Sequence, residues 1–122
     1  MATRTDPSFQ PSTDRGDAMP DSANPLVNKF VAAINAGDKS GLSALLADGA
    51  TMSDDGSDRD LDSWLDREMF STHGRIKIES STSADGLSLI AEVTNDTWGA
   101  MRTTWKFFVD GDKITRFETG QA

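Results

Sequence analysis

The chain predicts an α+β domain, with helices first and an antiparallel sheet after them. Three observations carry this. Apolar residues recur at helical spacing between Pro25 and Phe70, the period drops to two after Gly74, and Asp-Gly pairs punctuate the alternating runs. Three N-terminal helices segregated ahead of a meander are expected to pack on one face of a curved antiparallel sheet.

Residues Met1 to Ala23 are built from Asp, Ser, Thr, Pro and Arg, with Phe9 the only aromatic. They follow neither period, so 1–23 is expected as a disordered tail and 24–122 as the domain. Asn24–Pro25 is a helix start, an N-cap followed by proline at the first helical position. Leu26, Val27, Phe30, Val31 and Ile34 then form one apolar stripe, and Gly37 stops the helix. Asp38 caps a second, shorter helix with Leu42, Leu45 and Leu46 inside, ended by Gly49. Ala50 to Asp54 is expected to be extended, with turn chemistry in Asp55-Gly56-Ser57-Asp58. A third helix from about Asp60 to Phe70 places Leu61, Trp64, Leu65 and Met69 on one face.

The strands follow. Ile76/Ile78, Leu87/Leu89/Ala91/Val93 and Met101/Thr103/Trp105/Phe107/Val109 each alternate with more polar neighbours. Asp85-Gly86 and Asp110-Gly111 read as hairpin turns, and Ile114 to Thr119 supplies a last strand. In the opposite register Ile90, Trp98 and Phe108 fall on the outward face, and an apolar patch of that kind marks an interface.

Composition narrows the function. A chain of 122 residues has room for one modest core. It contains no cysteine, so disulfides, thiolate nucleophiles and cysteine metal sites are excluded. The net charge of −8 repels phosphate backbones and anionic membrane surfaces, so neither nucleic acid nor membrane is an expected partner. No apolar run reaches the ~20 residues of a membrane span. No signal-peptide core is present either, and a cytoplasmic setting is expected.

Phe30-Val31-Ala32-Ala33-Ile34-Asn35-Ala36-Gly37-Asp38, Leu45-Leu46-Ala47-Asp48 and Asp110-Gly111-Asp112-Lys113-Ile114 resemble segments of the nuclear-transport-factor-2-like (SnoaL-like) superfamily. The resemblance runs from about Asn24 to Gly120. It implies a cone-shaped fold in which helices and the concave sheet face enclose a cavity, used by different members for isomerisation, cyclisation, epoxide hydrolysis, dehydration or plain binding.

Ketosteroid isomerases are the most similar in motif. Their catalytic base is matched by Asp54, at the end of Thr51-Met52-Ser53-Asp54. Their oxyanion-donating tyrosine is matched by Phe30. Their protonated aspartic acid is matched by Thr104 or Trp105, with Trp105 favoured by its inward register. The base is retained and both donors are lost, and each donor is typically worth ~10²–10³ in rate, so steroid isomerisation is not expected. The Asp–Arg–Asp arrangement of limonene-epoxide-hydrolase-like members is not met, because Arg102 alternates outward. The late-strand aspartate of SnoaL-type cyclases is not met, because Asp110 and Asp112 fall in a turn.

The expectation is a small pocket protein for a compact, largely apolar metabolite. Asp54 is its general base or polar anchor, and Phe30, Met52, Trp64, Met101 and Trp105 are its ligand-binding wall. No cofactor is implied. The resemblance also implies a homodimer through the outer sheet face, as relatives often form; the alternative function is a non-catalytic module that uses that face to dimerise and the pocket merely as core. Asp54, Asp55, Asp58, Asp60 and Asp62 do not form an EF-hand, since Thr51 and Ser53 would hold its first and third positions; they are expected to be solvated turn and capping acids, with no metal site. His73 is expected at the surface just past the third helix.

Overall fold

The computed structural model describes residues 22–122. The expected tail lies outside the described residues except for Ser22 and Ala23. Ser22 is buried, and its hydroxyl donates to the carbonyl of Gly86.

Helix α1 (Pro25–Ala36) begins where Asn24 Oδ1 accepts the amides of Leu26 and Val27, at 2.9 and 3.3 Å. Its inner face buries Leu26, Val27, Phe30, Ala33 and Ile34. Asp38 caps α2 (Lys39–Leu45) by accepting from the Gly41 amide at 2.9 Å. Leu42 is the buried residue of α2, and Leu46 already belongs to strand β1 (Leu46–Asp54). The second helix therefore ends at Leu45, one leucine earlier than the sequence suggests, because Leu46 packs against the core from the strand without needing helical spacing. Strand β2 (Ser57–Arg59) follows a tight turn. Asp60 then caps α3 (Leu61–Leu65), which widens into a π turn over Asp66–Phe70. Among the described residues no helix is long and apolar enough to cross a membrane.

The remaining strands are β3 (Arg75–Ser81), β4 (Ser88–Asn95), β5 (Gly99–Asp110) and β6 (Lys113–Gln121). They form a six-stranded sheet in the order β2-β1-β6-β5-β4-β3. Neighbours are antiparallel except β1 and β6, which run parallel, with Met52 opposite Phe117 and Asp54 opposite Thr119. The sheet is thus mixed, where the sequence predicts it wholly antiparallel. Asp-Gly turns report only the hairpins they close. The partner of β1 lies more than sixty residues away and leaves no local signal.

Strand alternation holds. Ile76 and Ile78, then Leu89, Ala91 and Val93, then Thr103, Trp105 and Phe107 are buried on one side. There the ring of Phe30 stands edge-on to Trp105, Phe107 and Phe117, at centroid distances of 5.9, 5.1 and 5.2 Å. Edge-to-face pairs of this kind add to the stabilisation from buried area. The helix is also tied to the sheet margin by polar groups. Asn35 Nδ2 donates to the Ile76 carbonyl at 2.9 Å, and the Ile76 amide donates to Asn35 Oδ1 at 2.7 Å.

Of the residues expected on the outward face, Trp98 and Phe108 are exposed. Trp98 precedes β5, in the β4–β5 turn, Ile90 is half-buried, and the Phe108 ring has Lys106 Nζ over it at 5.2 Å. The outward register assigned to Trp98 extends the strand alternation through a turn, where period two no longer applies.

Candidate active site at the end of strand β1

Strand β1 delivers Asp54 to the sheet margin, where β6 leaves off. The carboxylate is half-buried, and its Oδ2 accepts a hydrogen bond from Trp64 Nε1 at 3.0 Å. The bond holds because α3 is capped one residue before it starts, which fixes the facing of Trp64. Asp60 Oδ2 accepts from the Ser63 amide at 3.1 Å, and Ser63 keeps the Asp60 carboxyl below the usual carboxylate range. Asp55 is the turn residue the sequence predicts. Its backbone is left-handed (φ 51°), its amide donates to Thr119 O, and its Oδ1 accepts from the Gln121 amide, both at 2.9 Å.

Beside Asp54 lies a cavity of about 290 Å³. Its apolar wall is Trp64, Met69, Val93, Trp98, Met101 and Trp105, so all three tryptophans of the chain reach it. Its polar groups include Asp54, Asp55, Glu68, Asn95, Thr103 and Arg102. A broader depression of about 500 Å³ lies on the other side of the sheet, among Ser88, Thr104, Lys106, Arg116 and Glu118. Its lining mixes charged and hydroxyl groups with Leu89, Ile90 and Trp105, and Arg116 is spent on Asp58 at 2.8 Å and Glu118 at 3.0 Å. Ligand sites are concave and surround their polar groups with apolar walls, and the cavity at Asp54, the more enclosed of the two, carries all three indoles.

The structure brings Asp54, Trp64, Met101 and Trp105 together on this cavity. Phe30 and Met52 do not line it. Both are fully buried in the core, Phe30 among the aromatic rings and Met52 on the inner face of β1. Trp105, on the cavity wall, has its own donor engaged. Its Nε1 reaches Thr103 Oγ1 at 2.8 Å, and that hydroxyl donates to the Ala91 carbonyl at 2.9 Å.

Arg102 is exposed as expected, with Nε on Glu79 Oε1 at 2.8 Å. His73 is also at the surface, 2.6 Å from Asp96 Oδ2 through Nδ1. Among the described residues no three His, Cys, Asp or Glu side chains gather to hold a metal ion.

Asn95, Glu68 and Trp98 are cavity residues that the sequence does not single out. Asn95 was legible in principle, since it continues the inward register Leu89, Ala91, Val93. It is polar where that register is otherwise apolar, and it stands at the Asn-x-x-Trp-Gly turn it stabilises. Glu68 and Trp98 reach the cavity through the π turn and the β4–β5 turn, which no periodicity describes.

No family model matches this chain, and no curated protein resembles it closely enough to match. Its backbone, however, has many counterparts. An NTF2-like protein of unknown function from Cytophaga hutchinsonii superposes with a TM-score of 0.67 at 13% identity, over 85% of this chain and 93% of that one. A candidate polyketide cyclase from Sinorhizobium meliloti superposes with a TM-score of 0.64 at 21% identity, over 78% of this chain and 93% of the other. A second candidate polyketide cyclase, from Xanthomonas campestris pv. campestris, gives a TM-score of 0.62 at 19% identity, over 82% and 90% of the two chains. Identities this low speak for the backbone and leave the chemistry to the site.

Proposed function

We propose that this chain, whose fold is nuclear-transport-factor-2-like, binds a compact, largely apolar molecule in the cavity beside Asp54. In this reading α1–α3 and the inward sheet face are the walls of a cone, and the aromatic rings around Phe30 plug its narrow part. The observation that carries it is the pairing of an indole-lined cavity of about 290 Å³ with one carboxylate fixed by the Trp64 indole. Apolar walls desolvate what they enclose, so the few polar groups among them set orientation and chemistry. The candidate polyketide cyclases of the same fold favour a carbonyl-bearing ligand.

Asp54 anchors the ligand. Where a reaction follows, Asp54 is the general base for an isomerisation, dehydration or cyclisation that starts by proton abstraction next to a carbonyl.

Tryptophan fluorescence tests the reading directly, because all three indoles border the cavity. A panel of small neutral aromatic ketones is titrated into the protein and into Met101→Trp, which fills the cavity. Saturable quenching in the first and none in the second is expected. Quenching that persists in a folded Met101→Trp protein places binding elsewhere and sinks the proposal.

A further inference from the structure

We infer that the side-chain amide of Asn95 is a ligand donor: its Nδ2 receives the carbonyl oxygen of a neutral ligand in the Asp54 cavity. The inference rests on the binding reading above and names the ligand class for it. Asn95 lines the cavity and is only 6% exposed. Its Oδ1 accepts two backbone amides of the β4–β5 turn, from Thr97 at 3.0 Å and Trp98 at 2.7 Å. Two N–H donors on one atom settle which end of the amide is oxygen.

The other end is therefore an NH2 group carrying two hydrogens. Among the described residues Nδ2 has no hydrogen-bond partner, and a buried donor without a partner is rare in folded proteins. The neighbouring donors are otherwise occupied: Trp64 Nε1 by Asp54, and Trp105 Nε1 by Thr103. Asn95 is thus the buried donor left to face a ligand.

Charge decides the ligand's sign. The cavity presents the carboxylates of Asp54, Asp55 and Glu68 against the single guanidinium of Arg102, which is already paired with Glu79. A carboxylate or phosphate ligand would be repelled, whereas a neutral ketone offers Asn95 an acceptor at no electrostatic cost.

Three probes of similar shape separate the possibilities: acetophenone, ethylbenzene and benzoate, titrated into ¹⁵N-labelled full-length protein. Acetophenone is expected to shift the Asn95 side-chain amide signals and the indole signals of Trp64 and Trp105. It should bind about tenfold more tightly than ethylbenzene, the usual worth of one hydrogen bond. Benzoate should leave those signals in place. Asn95→Asp keeps an acceptor for Thr97 and Trp98, replaces the donor NH2 by a second carboxylate oxygen and adds a negative charge that a carbonyl oxygen would face. It should weaken acetophenone by about tenfold or more and ethylbenzene by less, so that the preference for the ketone is lost.

Equal affinity of the two neutral probes, with an unmoved Asn95 amide, overturns this inference and leaves the cavity as a binding site. Probes that shift no cavity signal overturn both readings. Should Asn95→Asp fail to fold, the wild-type comparison alone decides.

Discussion

Trp64 and Asp54 are joined across α3 and β1 by a 3.0 Å hydrogen bond from the indole Nε1 to Oδ2. It connects the only carboxylate that β1 sends to the cavity with a tryptophan that also packs at 6.3 Å from Trp105 and 6.0 Å from Phe117. Trp64→Phe keeps an aromatic ring and removes the donor, stranding a half-buried carboxylate. A loss of about 1–3 kcal/mol is expected in urea denaturation at neutral pH, the cost typical of an unpaired buried polar group. Asp54→Asn retains an acceptor oxygen and should cost less. Equal losses would show that ring volume, not the hydrogen bond, matters at this position.

Phe30 tests the difference between wall and core. It is fully buried against three rings, and it does not border the cavity. Phe30→Ala should lose about 3–5 kcal/mol of stability, as large-to-small core substitutions do. The milder Phe30→Leu should unfold earlier in urea yet bind a ketone probe with unchanged affinity. A selective loss of affinity in Phe30→Leu would return this residue to the ligand wall.

Gly86 is held from two sides. It closes the β3–β4 turn at φ 75°, and a Cβ there would run into the Ser22 hydroxyl and the backbone amides of Ala23 and Asn24. Gly111 has a similar φ of 61° in the β5–β6 turn, but a Cβ there meets open space. Gly111→Ala should therefore cost about 1 kcal/mol from backbone conformation alone, and Gly86→Ala clearly more. Thermal denaturation of the two variants side by side measures the difference. Matching midpoints would mean that the Ser22–Asn24 segment moves aside without penalty.

The cap of α3 makes a pH prediction. Ser63 holds the Asp60 carboxyl below its ordinary range, through its side chain first and its amide second. The folded-state pKa is thus depressed below that of the unfolded chain. The cap's contribution is complete above the unfolded value of ~3.9 and fades as pH falls through the folded value. The gap in urea midpoint between wild type and Asp60→Ala should be full at about pH 6 and shrink below about pH 3. A gap independent of pH would mean that the carboxylate charge is not what caps the helix.

Most of the fold is legible in the sequence because local rules govern it. Asn24-Pro25 and Asp38 start helices by filling their own backbone donors, and Asp85-Gly86 and Asp110-Gly111 close hairpins whose flanks alternate. Asp54 and Trp64 could be placed at the site because each ends or faces an element with a clear period. What escaped has a non-local cause. Met52 shares its register with Asp54, which lines the cavity, whereas no residue of α1 reaches it, and only three-dimensional packing decides which inward side chains fill the core. Trp98 and Glu68 sit where a turn and a π turn interrupt the period. Asn95 stands in a readable register, but its free donor is visible only once the turn amides of Thr97 and Trp98 have claimed its oxygen.

The parallel pairing of β1 with β6 also sets an order of assembly. Strands β3, β4 and β5 can zip by adjacent hairpins, each closing a short loop. Strands β1 and β2 pair locally with each other, but that hairpin joins the rest of the sheet only when β6 arrives beside β1, and this closure spans the chain from Met52 to Phe117. Entropy makes such a long closure late and slow, whereas nearby pairings come early. The ladder between β1 and β6 would thus be the last pairing of the sheet to form. Pulse-labelled amide exchange during refolding should find β4 and β5 protected before Met52 and Phe117; simultaneous protection would mean that the two ends of the domain meet first.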